Sequence, residues 1–192
     1  MKENSKISNI TIIGNTTWGQ AIATLINKEK AGVQILCRTE LEAKNRINKL
    51  DKLKSLPSTI QLSSDISTLG NSELIILAFP SQSMRSNLNI INNNLNQNHK
   101  FLIASKGIEK TSGKRLSEVL TEEITFIKEK NISILSGPNL AKEIYENKTT
   151  STVIASKNFS LLNNIKTVIE SNKFKIYLSD DTIGVELGGA LK

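Results

Sequence analysis

The sequence predicts an α/β fold: a mostly parallel, doubly wound sheet of about seven or eight strands with helices on both faces. Two observations support this prediction. Short, continuous apolar runs alternate along the chain with longer segments of helical periodicity. Several of the runs end directly in glycine, proline or lysine, which suits the ligand-binding loops at the carboxyl ends of parallel strands. The 192 residues suffice for one domain with a sizeable core, or for one domain and the beginning of another.

The first strand and helix form the best-defined unit of the chain. An apolar run at 9–13 leads at once into Gly-Asn-Thr-Thr-Trp-Gly at 14–19, a helical pattern up to Ile26, and a second apolar run at 33–37. A glycine turn between a buried strand and a helix presents backbone N–H groups and the positive end of the helix dipole to an anion. A pyrophosphate fits there, so the expected ligand is a dinucleotide.

The glycine motif departs from the usual dinucleotide fingerprint at its middle position. The pattern G-x-G-x-x-G becomes G-x-T-x-x-G, because Thr16 stands between Gly14 and Gly19. Its β-branched side chain is expected to lengthen the approach of the backbone to the phosphates. Spacing alone therefore leaves an ordinary strand-to-helix turn as an open alternative.

The remaining segments alternate regularly. Further strands are predicted at 60–62, 73–79, 100–104, 132–136, 150–155 and 173–178, and helices at 40–53, 81–95, 114–123 and 159–170. A helical turn is expected at 65–69, and Asn139 is expected to be the N-cap of a helix through Tyr145. A last helix at 183–192 follows an N-cap signal at 180–182 and has no closing residue, which indicates a truncated helix.

Later strand ends carry sequences that suit the same ligand site as the first glycine turn. Pro80-Ser81, Ser105-Lys106-Gly107 and Gly137-Pro138-Asn139 each follow a predicted strand. Because parallel strands end at one edge of their sheet, these loops are expected to converge on one crevice with Gly14. A lysine just past a strand end suits an anionic ligand, although a solvated loop lysine is the equally common alternative.

Composition limits the other classes of function. The net charge of +7 is compatible with anionic ligands, but the basic residues are dispersed and aromatic residues make up only 4% of the chain, which disfavours nucleic-acid binding. No run approaches the roughly 18 apolar residues of a membrane span, and no signal-peptide core follows the N terminus, so a cytoplasmic location is expected. Cys37 is expected to be a buried apolar side chain, and His99 has no second ligand at metal-binding spacing, so no metal site is expected.

Four motifs, in order, resemble the bacterial-type NAD(P)-dependent glycerol-3-phosphate dehydrogenases. They are IIGNTTWGQAIA, ELIILAFPSQSMR, LIASKGIE with SGPNLAKEI, and GVELGGALK, and together they cover essentially the whole chain. The resemblance implies a Rossmann-type dinucleotide-binding domain at 1–179. It also implies that residues 180–192 begin a helical substrate domain that is truncated in this sequence.

The resemblance implies NADP or NAD as the cofactor. The residues expected to contact it are Gly14, Thr17, Trp18, Gly19, Arg38, Phe79, Pro80, Lys106 and Ala141. Arg38 stands where NAD-specific enzymes usually have an acidic residue, so it is expected to hold a 2′-phosphate and to permit NADPH. Glu40 lies close enough to weaken that preference.

The resemblance also implies hydride transfer between dihydroxyacetone phosphate and sn-glycerol 3-phosphate. Its expected substrate residues are Lys106, Gly137, Asn139 and Lys192, although most family members have Ser or Thr in place of Asn139. Lys192 matches the proton donor and acceptor, and Lys106 would be a second catalytic ammonium. Lysine suits these roles because an ammonium stabilises the charge that develops on the ketone oxygen. A homodimer is compatible with the resemblance.

Two alternative interpretations stay open. A related hydroxyacid or phosphogluconate-type dehydrogenase would share the opening domain, although the spacing of the SKGIE and GPNLAKE loops disfavours it. A truncated, non-catalytic dinucleotide-binding module is favoured by Thr16 and by the end of the chain at Lys192. Because the helical domain that clamps the substrate in the family is missing from this sequence, the segment alone is expected to turn over very slowly or not at all.

Overall fold

The computed structural model describes residues 6–51 and 55–191. The strands within these ranges are β1 (Asn9–Ile13), β2 (Gly32–Leu36), β3 (Ile60–Ser63), β4 (Leu74–Leu77), β5 (Lys100–Ile103), β6 (Ile132–Ser136), β7 (Thr150–Ala155) and β8 (Phe174–Ser179). The α-helices are α1 (Thr17–Leu25), α2 (Glu40–Lys44), α3 (Met84–Ile91), α4 (Leu116–Glu123), α5 (Ala141–Tyr145), α6 (Phe159–Ile169) and α7 (Thr182–Ala190). Short 3₁₀ segments lie at Ile66–Asn71, Ser81–Ser83, Asn92–Asn94 and Glu129–Asn131.

The strands form one eight-stranded sheet in the order β3-β2-β1-β4-β5-β6-β7-β8. Neighbours from β3 to β6 are parallel, β7 is antiparallel to β6, and β8 is parallel to β7. The order of the strands reverses between β1 and β4. Doubly wound sheets bind ligands at the carboxyl ends of the strands at this switch point. The predicted mostly parallel, doubly wound sheet is confirmed.

Apolar cores lie on both faces of the sheet, and the central strand β4 contributes to each. Leu74 and Ile76 belong to the core beneath α1 and α6, whereas Ile75 and Leu77 belong to the core beneath α3 and α4. Every residue of β4 is buried, as a central parallel strand requires. Each such side chain stabilises the fold by roughly 1.5–3 kcal/mol. The ends of β4 are therefore firmly positioned against those of β1 and β5.

The helix predicted at 40–53 is shorter than expected. α2 ends at Lys44, and the last predicted residues, 52 and 53, lie outside the described part of the chain. Beyond the helix, the guanidinium of Arg46 donates to the carbonyl oxygens of Pro57 and Ile60, both at 2.7 Å. These tertiary hydrogen bonds stabilise a non-helical backbone at this point. A short polar helix is not stable enough to compete with them.

α7 begins where the sequence predicts. Its N-cap is Asp181, whose Oδ1 accepts the N–H of Gly184 at 2.8 Å. The helix is defined as far as Ala190, whereas Lys192 lies outside the described residues, and so does its expected role. Within 6–51 and 55–191, no helix has the length and apolar character that crossing a bilayer requires.

Cys37 and His99 are structural residues. Burial, followed by the nearby Glu42 carboxylate, raises the pKa of the Cys37 thiol to about 11, so it stays protonated at neutral pH. His99 is buried, with Nδ1 accepting the N–H of Asn96 at 2.8 Å and Nε2 lying 3.0 Å from the carbonyl oxygen of Leu69. The part of the chain that the structure describes contains no cluster of metal-ligating side chains.

Candidate functional site

The turn after β1 depends on two closely packed glycines. Gly14 has a φ of +116°, a conformation that L-residues rarely adopt, and a Cβ there would lie 2.7 Å from the carbonyl oxygen of Ala78. A Cβ on Gly19 would overlap the carbonyl oxygen of Gly14. Because neither glycine has a side chain, α1 starts directly behind β1 and beside the end of β4. The first N–H groups of α1 therefore lie at the switch point of the sheet.

Thr16, the residue that interrupts the glycine fingerprint, is the N-cap of α1. Its Oγ1 accepts the N–H of Gly19 at 2.9 Å and donates to the carbonyl oxygen of Ala78 at 2.7 Å. The hydroxyl group thus ties the loop after β1 to the loop after β4. A glycine at this position would offer neither hydrogen bond, so the substitution has a structural role in this chain.

A cavity of about 410 Å³ lies at the carboxyl ends of β1, β4, β5 and β6. We call it the first cavity. The predicted site residues that line it are Thr17, Trp18, Phe79, Pro80, Lys106, Asn139 and Ala141. These residues come from four loops that are far apart in the sequence, and parallel strand ends bring them together, as expected. Its volume falls in the range of small-molecule and cofactor sites.

A second cavity, of about 360 Å³, lies on the β2 and β3 side of the switch point. Gly14 and Arg38 line it, while Thr16, Phe79 and Pro80 line both cavities. A dinucleotide consists of two nucleosides joined by a pyrophosphate. Two cavities that meet beside a helix N-terminus match this arrangement.

Trp18 and Lys106 form one wall of the first cavity. The indole Nε1 of Trp18 donates to the carbonyl oxygen of Ala104 at 2.9 Å, which fixes the ring against the end of β5. The Nζ of Lys106 donates to the carbonyl oxygen of Gly137 at 2.7 Å and lies 5.7 Å from the centroid of the Trp18 ring. That distance is within the range of a cation–π contact. The ammonium is therefore held between the loops after β5 and β6.

Asn139 lines the first cavity, but the prediction that it caps α5 is wrong. The N-cap of α5 is Leu140, which makes no side-chain capping bond. The Asn139 amide instead donates to Thr150 Oγ1 at 3.0 Å and to the carbonyl oxygen of Ser151 at 2.7 Å, because antiparallel β7 brings these acceptors beside the loop. Its Oδ1 is buried and has no hydrogen-bond donor among the described residues. A bound hydroxyl group or water would satisfy that oxygen.

Two predicted site residues, Gly19 and Gly137, line neither cavity. Gly19 permits the close contact with Gly14, and Gly137 supplies the carbonyl oxygen that holds Lys106. Both therefore shape the site through their neighbours.

Ion pairs that anchor the Lys106 loop are not evident from the sequence. Arg85 of α3 donates to both carboxylate oxygens of Glu109, at 3.0 and 2.8 Å, and also pairs with Glu122 and Glu123 of α4. The Arg85 guanidinium, followed by the Ser112 hydroxyl, lowers the pKa of Glu109 to about 2. In the sequence, Arg85 and Glu109 stand at the ends of the FPSQSMR and SKGIE motifs, but only the fold shows that their side chains meet.

A buried carboxylate attaches α7 to the rest of the domain. Glu186 accepts the backbone N–H of Ser117 at 2.8 Å, the Ser117 hydroxyl at 2.6 Å and the Arg115 guanidinium at 3.2 Å. It therefore satisfies a free N–H in the first turn of α4. One turn further along α7, a Cβ on Gly189 would lie 4.0 Å from the Cγ of Lys106. The last turn of α7 thus lies beside the Lys106 side chain.

Comparison with known families gives a match over most of the chain. The family described as "NAD-dependent glycerol-3-phosphate dehydrogenase N-terminus" matches residues 9–162. This range includes the glycine turn between the two cavities and the loops after β4, β5 and β6.

Individual relatives agree with the family match. An NAD(P)+ glycerol-3-phosphate dehydrogenase from Dehalococcoides mccartyi is 34% identical, and the alignment covers 97% of this chain and 54% of the relative. One from Macrococcus caseolyticus is 33% identical, with 95% and 57% covered. The crystal structure of glycerol-3-phosphate dehydrogenase from Coxiella burnetii superposes with a TM-score of 0.84 at 24% identity, covering 95% of this chain and 57% of that one. The chain spans about half the length of the curated relatives it matches.

Proposed function

The chain belongs to the family of N-terminal domains of NAD-dependent glycerol-3-phosphate dehydrogenases, and on that premise we propose that it is the dinucleotide-binding part of an enzyme that interconverts dihydroxyacetone phosphate and sn-glycerol 3-phosphate. NAD or NADP is the cofactor of this family. One observation carries the proposal: loops from four strands share a cavity at the switch point of a doubly wound sheet. The family match also favours this enzyme over a hydroxyacid or phosphogluconate-type dehydrogenase.

The residues of both cavities fit a dinucleotide. Thr16 of the glycine turn lines both cavities, and the first N–H groups of α1 provide an anion site for the pyrophosphate. In the proposal, the nicotinamide end occupies the first cavity beside Trp18, Phe79, Pro80 and Ala141, whereas the adenosine end occupies the second cavity beside Arg38. The cofactor supplies the hydride for the reduction.

Charge and hydrogen bonding in the first cavity suit the phosphorylated ketone. The Lys106 ammonium would stabilise the negative charge that develops on the ketone oxygen. Asn139 Oδ1, which is buried without a donor among the described residues, would accept a substrate hydroxyl group. We assign the proton transfer to Lys192 by family resemblance; the helix that precedes it, α7, ends beside Lys106.

We place the boundary of the dinucleotide-binding domain at residue 179, where β8 ends, and assign 180–192 to the start of a helical substrate domain. The surface of α7 supports this division, because the Ile183 and Leu191 side chains are 52% and 84% exposed. A helix with apolar side chains on its outer face is usually covered by another element. A homodimer and a cytoplasmic location complete the proposal, and sedimentation velocity and cell fractionation test them separately.

Trp18 provides a direct test of dinucleotide binding. It is the sole tryptophan of the sequence and lines the first cavity, so titration of the 192-residue chain with NADPH is expected to quench its fluorescence saturably. Because a hydrogen bond to a charged group contributes about 1.5–3 kcal/mol, Lys106→Met is expected to weaken binding roughly tenfold or more. Lys110→Gln, at an exposed position in the same loop, is the control and should bind as the wild type does. An absence of saturable quenching at millimolar NADPH would refute the proposal.

A further inference from the structure

The second cavity contains a carboxylate and two cationic side chains, from Glu42, Arg38 and Lys49. In the proposed function, on which this proposal rests, this cavity receives the adenosine end of the cofactor. We propose that Lys49 and Glu42 set the preference between dinucleotides with and without a 2′-phosphate. Lys49 exchanges its partner between the Glu42 carboxylate and the phosphate.

The carboxylate that matters at the end of β2 is Glu42 and not Glu40. Glu40 pairs with Lys44 at 2.5 Å, and both side chains are 73% exposed. Glu42 instead turns back toward the strand, where its Oε2 accepts the backbone N–H of Arg38 at 3.0 Å. Arg38 occupies the usual place of the ribose-binding carboxylate of NAD-binding domains, but Glu42 also lines the second cavity, where its carboxylate can accept ribose hydroxyl groups. Glu42 is therefore positioned to favour the cofactor that lacks the phosphate.

Lys49 is held next to this carboxylate by Gln20, whose side chain also contacts the glycine turn. Its backbone N–H donates to Gln20 Oε1 at 2.8 Å. The side chain of Gln20 is buried in α1 and also donates to Asn15 Oδ1 at 2.7 Å. A movement of the Lys49 segment would break this chain of hydrogen bonds, so the position of Lys49 is coupled to that of the turn.

The Lys49–Glu42 pair is weak enough to exchange. The Nζ of Lys49 lies 3.4 Å from Glu42 Oε1, and the two side chains are 40% and 30% exposed. Partly exposed ion pairs of this kind contribute little to stability, because solvent screens them. A phosphate monoester carries roughly −1.5 to −2 charges at neutral pH and accepts several hydrogen bonds, so it competes effectively for the same ammonium.

Arg38 provides the second cation for a 2′-phosphate. Arg38 is exposed and lines the second cavity. Arg38 and Lys49 can therefore contact a phosphate together, whereas Glu42 opposes it by charge repulsion. With a cofactor that lacks the phosphate, Glu42 accepts the ribose hydroxyl groups while Lys49 neutralises its charge.

Opposite substitutions at the two positions test this exchange. NADPH and NADH are titrated separately at low salt against the wild type, Lys49→Met and Glu42→Gln, with Trp18 fluorescence as the readout. Lys49→Met is expected to weaken NADPH binding about tenfold and to change NADH binding less than twofold. Glu42→Gln is expected to strengthen NADPH binding severalfold and to weaken NADH binding. Lys44→Met, which removes an exposed cation from the helix that carries Glu42, is the control and should change neither affinity.

Titration with both cofactors distinguishes a failure of the exchange from a failure of the proposed function. If the wild type binds both dinucleotides but Lys49→Met and Glu42→Gln change both affinities equally, or change neither, the exchange is refuted while the proposed function stands. If the wild type binds neither dinucleotide, the proposed function fails and the exchange fails with it. Isothermal titration calorimetry with 2′,5′-ADP and 5′-ADP provides the same comparison without the nicotinamide end. Added salt should reduce the effect of Lys49→Met on the affinity for 2′,5′-ADP.

Discussion

At the scale of single residues, one hydroxyl group joins the two loops at which the sheet reverses. Thr16 Oγ1 hydrogen-bonds both Gly19 of its own turn and Ala78 after β4. The sequence shows that a threonine replaces a glycine, but it does not show why, because Ala78 is 62 residues away along the chain. The hydroxyl group compensates for the lost glycine by capping α1 and bracing the turn that the pyrophosphate is expected to contact.

Removal of this hydroxyl group is expected to destabilise the domain. Thr16→Val keeps the shape of the side chain but loses the N-cap, which typically costs about 1 kcal/mol and at most about 2 kcal/mol of unfolding free energy. Thr16→Ser keeps the hydroxyl group and should stay close to the wild type. Urea unfolding followed by circular dichroism measures the difference. A Thr16→Val variant as stable as the wild type would show that the cap contributes nothing.

At the scale of single elements, ion pairs hold the loop after β5 against two helices. The loop carries Lys106 and is anchored by Glu109, which is buried beneath Arg85 of α3. Arg85 in turn contacts carboxylates of α4. The position of the Lys106 ammonium therefore depends on a network at the side of the sheet, outside the first cavity.

This network predicts a pH dependence of stability. The pKa of Glu109 is about 2 in the folded chain, below its ordinary value near 4.5, because Arg85 and then Ser112 hydrogen-bond its charged form. A carboxylate with a lowered pKa stabilises the fold fully above about pH 4.5, and this contribution is lost as the pH falls toward 2. The stability difference between the wild type and Glu109→Gln should therefore shrink over that interval in denaturant titrations.

The matched control for Glu109→Gln is Glu29→Gln, which removes one exposed carboxylate at a distance from the network. A stability difference between the wild type and Glu109→Gln that stays constant from pH 6 to pH 2.5 would contradict the role given to Arg85.

The attachment of α7 gives a second prediction at this scale. Glu186→Ala removes three hydrogen bonds to a buried carboxylate, and hydrogen bonds to charged groups contribute about 1.5–3 kcal/mol each in favourable cases. We expect α7 to detach before the domain unfolds, with faster amide exchange in residues 185–191. Glu40→Ala, at an exposed position, should exchange as the wild type does. Equal protection of α7 in both variants would contradict the docking role of Glu186.

The sequence predicted best the boundaries of those elements that depend only on a local residue pattern. β1, β6 and β7 have the predicted limits because continuous β-branched and apolar runs define them. The predicted end of α2 and the predicted capping of α5 by Asn139 were wrong, because they depend on Arg46 and on antiparallel β7, whose contacts join residues 11 and 12 positions apart. Local patterns cannot reveal such partners.

At the scale of the whole molecule, the fold and the shared cavity were predictable because they follow from topology. Parallel strands with right-handed connections place all their carboxyl ends at one edge, so Thr17, Lys106 and Asn139 had to meet once the strands were assigned. The polar groups that hold the site, such as Glu109 in a loop and Glu186 in a helix, were not predictable, since charged residues are usually solvent-exposed.

In the proposed function, the carboxyl edge of the sheet binds a dinucleotide across its switch point. Backbone amide chemical shifts of the 192-residue chain, recorded during titration with NADPH, locate the bound dinucleotide on the sheet. The largest changes are expected at residues 14–19, 79–83 and 105–107, with no comparable change at 96–100, at the opposite edge of the sheet. Changes concentrated at 96–100, or none at 14–19 under saturating NADPH, would contradict the assignment of the site.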